Sequence, residues 1–362
     1  MIRDDYAGCG GWTEGLRLLG LTDVGYELMP DAIKTREAAG HETVACDLST
    51  APDPAGPLEG YVASPPCQTF STAGNGEGAA ILPELVARVH AGDFSTTGID
   101  ERTAHVLRVA RVCSTVDAGW VALEQVPGVL PVWEAIAHRL EVRGYSVWCG
   151  VLCAADFGVP QTRRRAFLLA SRDRVVHPPA PTHAEVPVPG LFGTLARWVS
   201  MADALGWDGV LDRRQQSDGE PVRLVPTDEP APTLTGIANS KGQWVLRERQ
   251  AHGTVRSVDE PAMTITSSAD NGNFRWCWER PAPTVTGGGF AGADTRAAME
   301  EAAPGSTRLT ITEALVLQSF RPDYPVQGSR SSQFLQVGNA VPPLLAAHAL
   351  SVLTGRTMEA AA

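Results

Sequence analysis

A chain of 362 residues, 43% of them apolar, can bury a sizeable core and split into more than one unit, and it holds no run of eighteen or more apolar residues long enough to cross a membrane. Its 30 Lys and Arg against 41 Asp and Glu leave a net charge of −11, which excludes a general electrostatic grip on nucleic acid, so any such surface has to be local. The cysteines, Cys9, Cys46, Cys67, Cys113, Cys149, Cys153 and Cys277, are odd in number, scattered and without a Cys-x-x-Cys pair. They exclude a disulfide framework and a zinc site, predict free thiols, and with the short acidic start Met1–Asp5 point to the cytoplasm.

Along the first half, short apolar runs alternate with helical periodicity, which predicts an α/β fold around a parallel sheet. A strand at the N-terminus leads into Tyr6-Ala7-Gly8-Cys9-Gly10-Gly11, ahead of a helix carrying Leu16, Leu18 and Leu19. Glycines there let the backbone approach a ligand closely. The next strand signal, Val24–Tyr26, ends at Glu27, an acid suited to ribose hydroxyls, and the third, Thr43–Ala45, is followed by Asp47.

Tyr61–Ala63 forms the next strand signal and runs into Ser64-Pro65-Pro66-Cys67-Gln68. A cysteine is by default a small buried hydrophobe. Here two prolines fix the backbone before it, and the glycines of residues 69–78 allow a loop that moves, an arrangement that presents a thiol to a large substrate. Within residues 74–100, Ile81, Leu82, Leu85, Val86 and Val89 make an apolar stripe that reads as packing. A helix from near Asp100 sets Val106, Val109, Val112 and Cys113 on one face, with Arg102, Arg108 and Arg111 around it, and is expected to pack on the sheet.

Val121–Leu123 leads to Glu124-Gln125-Val126-Pro127, which puts a carboxyl group at a strand end, although an isolated glutamate there also reads as a surface carboxylate. Phe157 to Arg165 contains Gln161-Thr162-Arg163-Arg164-Arg165, with Arg163 and Arg165 on one face of an extended segment, suited to a pyrimidine carbonyl or a phosphate. The wider run, with Arg172 and Arg174, reads equally as a solvated face. Phe167–Leu169 is the following strand.

Near Val175 the texture changes to a proline-rich linker. Beyond it, a turn signal followed by β-branched residues recurs at residues 230–235, 261–266 and 281–286, which predicts a small, mostly β unit. Pro342–Leu353 reads as a helix that returns to the first unit. The expected boundaries are 1–175 for the catalytic unit, 176–306 for the linker and recognition unit, and 307–362 for the returning segment.

These elements, in this order, resemble the motif set of the DNA (cytosine-5) methyltransferase family over almost the whole chain. The glycine loop resembles its cofactor motif, Pro66-Cys67-Gln68 its nucleophile motif, Glu124-Gln125-Val126 its Glu-Asn-Val motif, and Gln161 to Arg165 its Gln-x-Arg-x-Arg motif. Arg308 to Glu313 and Gly338-Asn339-Ala-Val-Pro342-Pro343 resemble the last two. The resemblance implies a Rossmann-like class I methyltransferase sheet with helices on both faces, plus a smaller target-recognition domain.

It further implies S-adenosylmethionine as cofactor, with no metal, and double-stranded DNA holding a specific cytosine as substrate. A cognate restriction endonuclease would be a functional rather than physical partner. Tyr6 would stack near the cofactor, Ala7, Gly8, Cys9, Gly10 and Gly11 would line it, Glu27 would hold its ribose and Asp47 would meet its adenine. Leu28, Leu48, Pro66 and Val341 would add to the pocket and Asn339 would close it. Cys67 would be the nucleophile, Glu124 the proton donor, and Arg163 and Arg165 would steady a flipped-out base.

Four positions depart from the family pattern: Gln125 for the usual asparagine, Asp5 for leucine, Leu28 for an aromatic and Thr312 for arginine. Gln125 keeps the amide and is expected to be tolerated. The alternatives at this level are an RNA (tRNA) cytosine-5 methyltransferase, an inactive DNA-binding relative, and a nucleotide-dependent oxidoreductase that would rest on the glycine loop alone.

Overall fold

Apolar runs in register build the frame. The computed structural model describes residues 1–70, 77–187, 189–190, 193–205, 211–212, 224–225 and 310–358. In chain order the main elements are β1 (Ile2–Asp5), α1 (Gly11–Leu18), β2 (Val24–Glu27), α2 (Pro30–Ala38), β3 (Glu42–Ala45) and β4 (Pro57–Ala63). Then come α3 (Glu77–Ala80), α4 (Leu82–Ala91), α5 (Glu101–Thr115), β5 (Asp117–Gln125), α6 (Leu130–Val142), β6 (Ser146–Cys153) and β7 (Arg164–Ser171). After short strand pieces lie α7 (Met201–Leu205), α8 (Ile311–Leu317), α9 (Arg330–Asn339) and α10 (Pro343–Thr354).

Seven strands form one sheet in the order β3-β2-β1-β4-β5-β7-β6. Successive residues of β5 point to opposite faces and both are covered: Val121 and Leu123 join the core under α4, α5 and α6, while Trp120 and Ala122 join the core under α1 and α10. Helices therefore flank both faces, as the sequence predicts.

One correction concerns strand direction. The sheet is parallel from β3 through β5, but β7 runs antiparallel to both β5 and β6. The cause is the short link of residues 154–163 between β6 and β7: a parallel return needs a crossover of a dozen or more residues, whereas an antiparallel one does not.

Register aligns the strand ends that matter. Tyr26 of β2, Asp5 of β1, Ala63 of β4 and Leu123 of β5 are neighbours across the sheet. Hence Glu27, Tyr6, Ser64 and Glu124 all emerge along one edge, where open α/β sheets place their ligands.

Two departures noted in the sequence can be placed in this frame, one buried with partners and one exposed. Asp5 is fully buried and accepts from Arg3 Nε at 2.7 Å, Arg108 at 2.8 Å and the Tyr61 hydroxyl at 3.0 Å. Arg108, expected beside the apolar face of α5, is thus drawn under the sheet as the counter-charge. Thr312 is exposed on α8, whose start is fixed by a capping box between Thr310 and Glu313.

The returning helix α10 lies against α1, where a Cβ on Gly15 would meet the Ala346 side chain at 2.6 Å. Among the described residues, only the stretch Arg330–Thr354 is long and apolar enough to cross a membrane by length and composition, and most of it is buried inside the protein. The three repeats of residues 230–235, 261–266 and 281–286 lie outside the described residues, as do residues 71–76, on which the expected moving loop falls.

Candidate active site

One cavity of about 900 Å³ runs along that strand edge. At one end stands the loop after β1. Tyr6 adopts a left-handed φ of 64°, Ala7 N donates to Tyr26 O at 3.1 Å, and a Cβ on Gly8 would meet nothing within 4 Å. Glu27 is held at its strand end by three backbone N–H groups: Gly8 at 2.7 Å to Oε2, and Leu28 and Met29, each at 2.8 Å, to Oε1. A charged acceptor bonded this way is fixed in space before any ligand arrives.

Asp47 follows β3, and the Ser49 hydroxyl and backbone N–H hold its carboxyl below the usual range; one oxygen accepts from Ser49 N at 2.8 Å. Leu48 is buried, while Leu28 stands 61% exposed at the rim. Asn339 ends α9 and Val341 follows it; a Cβ on Gly11 would run into the Val341 backbone, so the missing side chain lets the C-terminal segment close this end.

The other end is built by β4, β5 and β7. Cys67, a half-buried free thiol, follows the two prolines after β4. Glu124 sits near the end of β5, 5% exposed, and Arg165 Nε lies 3.1 Å from its Oε1. Burial pushes the Cys67 thiol up, the Arg165 charge pulls it back down, Glu124 pushes it up and Arg163 again lowers it. Arg163 is fully buried, its Nη1 donates to Gly338 O at 2.8 Å, and its Nε has no hydrogen-bond partner among the described residues. Burial and the neighbouring Arg165 push Arg163 down, yet a guanidinium stays charged at neutral pH.

Gln125 occupies the junction. Its Nε2 donates to Pro65 O at 2.7 Å and Pro66 O at 3.1 Å, and its Oε1 accepts from Val126 N at 2.6 Å. The amide therefore ties the end of β5 to the two residues that precede Cys67. An asparagine, shorter by one C–C bond of about 1.5 Å, would fall short of that span without a backbone shift. The longer side chain is thus not only tolerated but built into the site.

The cavity thus brings together Tyr6, Ala7, Gly8, Cys9, Gly11, Glu27, Leu28, Asp47, Leu48, Pro66, Cys67, Glu124, Arg163, Arg165, Asn339 and Val341. Gly10 is the exception: it caps α1 with a φ of 101° and faces the Tyr324 hydroxyl and His41 instead. Arg163 and Arg165 are buried, with Arg164 exposed between them at the cavity mouth, so the solvated-face reading holds for Arg172, which pairs with Asp117 at the surface, and not for the three arginines that line the cavity.

Trp12, Phe70, Gln336 and His105 also line the cavity and carried no sequence signal. His105 interrupts the arginines and apolar residues of α5, and a lone histidine on such a helix does not stand out from packing.

The residues present suit a nucleoside-type ligand. Fixed acceptors stand at the ends of β2 and β3, an open glycine backbone follows the adjacent β1, and the volume falls within the range of small-molecule sites.

A family model described as C-5 cytosine-specific DNA methylase matches residues 2–354. The chain is 26% identical over 351 residues to the Type II methyltransferase M.AplI of Arthrospira platensis, covering 96% of this chain and 83% of the relative. It is 28% identical over 375 residues to the Type II methyltransferase M1.HphI of Haemophilus parahaemolyticus, covering 98% and 87%. Among solved structures, a prophage-encoded DNA modification methyltransferase of E. coli superposes with a TM-score of 0.57 at 18% identity, covering 98% of each chain. DNMT2 of Spodoptera frugiperda superposes with a TM-score of 0.54 at 14% identity, covering 97% of this chain and 98% of that one. Both likenesses speak for the fold alone.

Proposed function

The chain belongs to the C-5 cytosine-specific DNA methylases, and from that premise we propose that it methylates C5 of a flipped-out cytosine at a specific site in double-stranded DNA, with Cys67 as nucleophile and Glu124 as proton donor. The observation that carries the reading is the wall shared by Cys67, the Glu124–Arg165 pair and Arg163, in the same cavity as Tyr6, Glu27 and Asp47.

S-adenosylmethionine fits the cofactor end, with Glu27 on its ribose, Asp47 on its adenine and the Tyr6–Gly11 loop along it; bound there, it supplies the electrophilic methyl group that C5 takes. The chain's own groups make C5 reactive. The Cys67 thiolate adds to C6, forming a C–S bond and shifting electron density toward C5 while Glu124 gives a proton to N3. Arg165 keeps Glu124 oriented and, with Arg163, supplies positive charge beside the base. Transfer of the C5 proton to water and return of the N3 proton to Glu124 then let the C–S bond break and the thiolate leave.

The thiol is held up by burial, so the two arginines carry the work of making thiolate available once a base fills the cavity. Residues 176–306 are assigned to target recognition and 307–362 to closing the cofactor end. A cytoplasmic setting beside a restriction endonuclease agrees with the free thiols and with the Type II names of the relatives.

Bisulfite sequencing of DNA from cells expressing the chain tests the reading, with a tRNA transfer assay beside it. The expected result is protected cytosines in one sequence context, absent with Cys67→Ala. Methyl transfer to tRNA with none to duplex DNA would overturn it in favour of an RNA substrate.

A further inference from the structure

His105, on the second turn of α5, is half-buried on the cavity wall and has no part in the account above. Its Nδ1 lies 3.0 Å from the Tyr6 hydroxyl, and the two rings meet edge-on with centroids 5.2 Å apart at 76°. Burial pushes the Tyr6 phenol up, while burial and the Arg108 charge push the imidazole down, so both are neutral at neutral pH. The cationic Arg108 near the phenol favours the tautomer in which the phenol O–H donates to Nδ1, which leaves the ring proton on Nε2.

No described residue accepts from that Nε2–H. The partner that sets the tautomer is itself held in place: Tyr6 keeps a left-handed φ of 64°, a conformation a non-glycine residue holds only where the surroundings enforce it. A side chain present only to fill space would need neither the hydrogen bond nor the strained partner. Asp47, the residue assigned to the adenine, lines the same cavity and its charge is felt at the imidazole.

We propose that His105 is a further cofactor-binding residue, whose Nε2–H, fixed by Tyr6, donates to the adenosyl part of the cofactor beside Asp47. This rests on the cofactor reading given above. It adds a donor to a site whose other fixed side chains, Glu27 and Asp47, are acceptors.

Calorimetric titration of S-adenosylhomocysteine into the full-length protein tests it. His105→Leu, which keeps the bulk and loses the donor, should bind about tenfold more weakly and with a less favourable enthalpy, as expected for one lost hydrogen bond. His105→Gln, which carries an amide N–H at a similar reach, should stay within about threefold of the parent. Thermal unfolding of the ligand-free variants shows that they fold. Parent-like binding by His105→Leu, or a His105→Gln as weak as His105→Leu, overturns the proposal while leaving the cofactor reading intact. A parent that binds no S-adenosylhomocysteine overturns both.

Discussion

The two ends of the cavity are fixed by different means. At the catalytic end, side chains hold one another or nearby backbone: Arg165 holds Glu124, Gln125 holds the two prolyl carbonyls before Cys67, and Arg163 holds Gly338 of α9. At the cofactor end, backbone N–H groups hold Glu27, the backbone N–H and hydroxyl of the nearby Ser49 hold Asp47, and Leu28 at the rim is exposed. A side-chain lattice transmits a substitution to its neighbours, whereas an acceptor fixed by backbone can be altered with a local effect. Changes at the catalytic end should therefore lower the rate with cofactor affinity intact, and changes at the cofactor end should do the reverse.

The largest break in that comparison is expected at Glu124. Glu124→Gln removes the proton donor and should lower methyl transfer to duplex DNA by about 10²–10⁴. Its affinity for S-adenosylhomocysteine should stay that of the parent. A parallel loss of cofactor binding would mean that the two ends are not separable.

Next comes Glu27→Gln, which turns one carboxylate oxygen into a donor facing the Gly8 N–H. S-adenosylhomocysteine should bind about 10- to 100-fold more weakly, the range for hydrogen bonds to a charged group. The rate at saturating cofactor should change little.

Gln125→Asn should cost about tenfold in rate, the scale of one or two buried hydrogen bonds, with no change in cofactor affinity. A variant as active as the parent would show that the tie to the prolyl carbonyls does not position Cys67.

The smallest effect concerns stability beneath the cofactor end. Asp4 is fully buried on β1, neither carboxylate oxygen has a hydrogen-bond partner among the described residues, and burial, aided by Asp23, pushes its carboxyl well up despite Arg36. A carboxyl whose folded value is raised favours the folded state while protonated. That contribution is lost as pH rises from the ordinary carboxylate range toward the raised value. Asp4→Asn should leave the Tm unchanged near pH 4 and raise it by about 2–4 °C at pH 8. A Tm gap that shrinks with rising pH would contradict this.

Much of the catalytic end was legible in the sequence because its residues follow apolar runs: Ser64 after Tyr61–Ala63 and Glu124 after Val121–Leu123 are strand ends that periodicity alone locates. Strand β6 was not, since Ser146–Cys153 is a half-buried edge strand whose mostly apolar residues, broken by Ser146 and Gly150, give no clear alternation. The reversed direction of β7 depends on the length of the β6–β7 link, which no single residue announces. The burial of Asp4, Asp5 and Arg108 was equally hidden: composition rules place acids outside, and only the fold shows that Asp5 meets three donors while Asp4 meets none among the described residues. His105 was hidden because its partner Tyr6 lies 99 residues away.

The central claim is that Cys67 attacks the base, and a duplex carrying 5-fluorocytosine at the target tests it most directly, since fluorine cannot leave C5 as a proton does. With S-adenosylmethionine present, the parent should form a denaturant-stable complex whose mass equals protein plus methylated duplex, with the cross-link mapped to the peptide containing Cys67, and Cys67→Ala should form none. Equal trapping by Cys67→Ala, or methylation of the normal duplex with no trapping of the fluorinated one, would contradict the account.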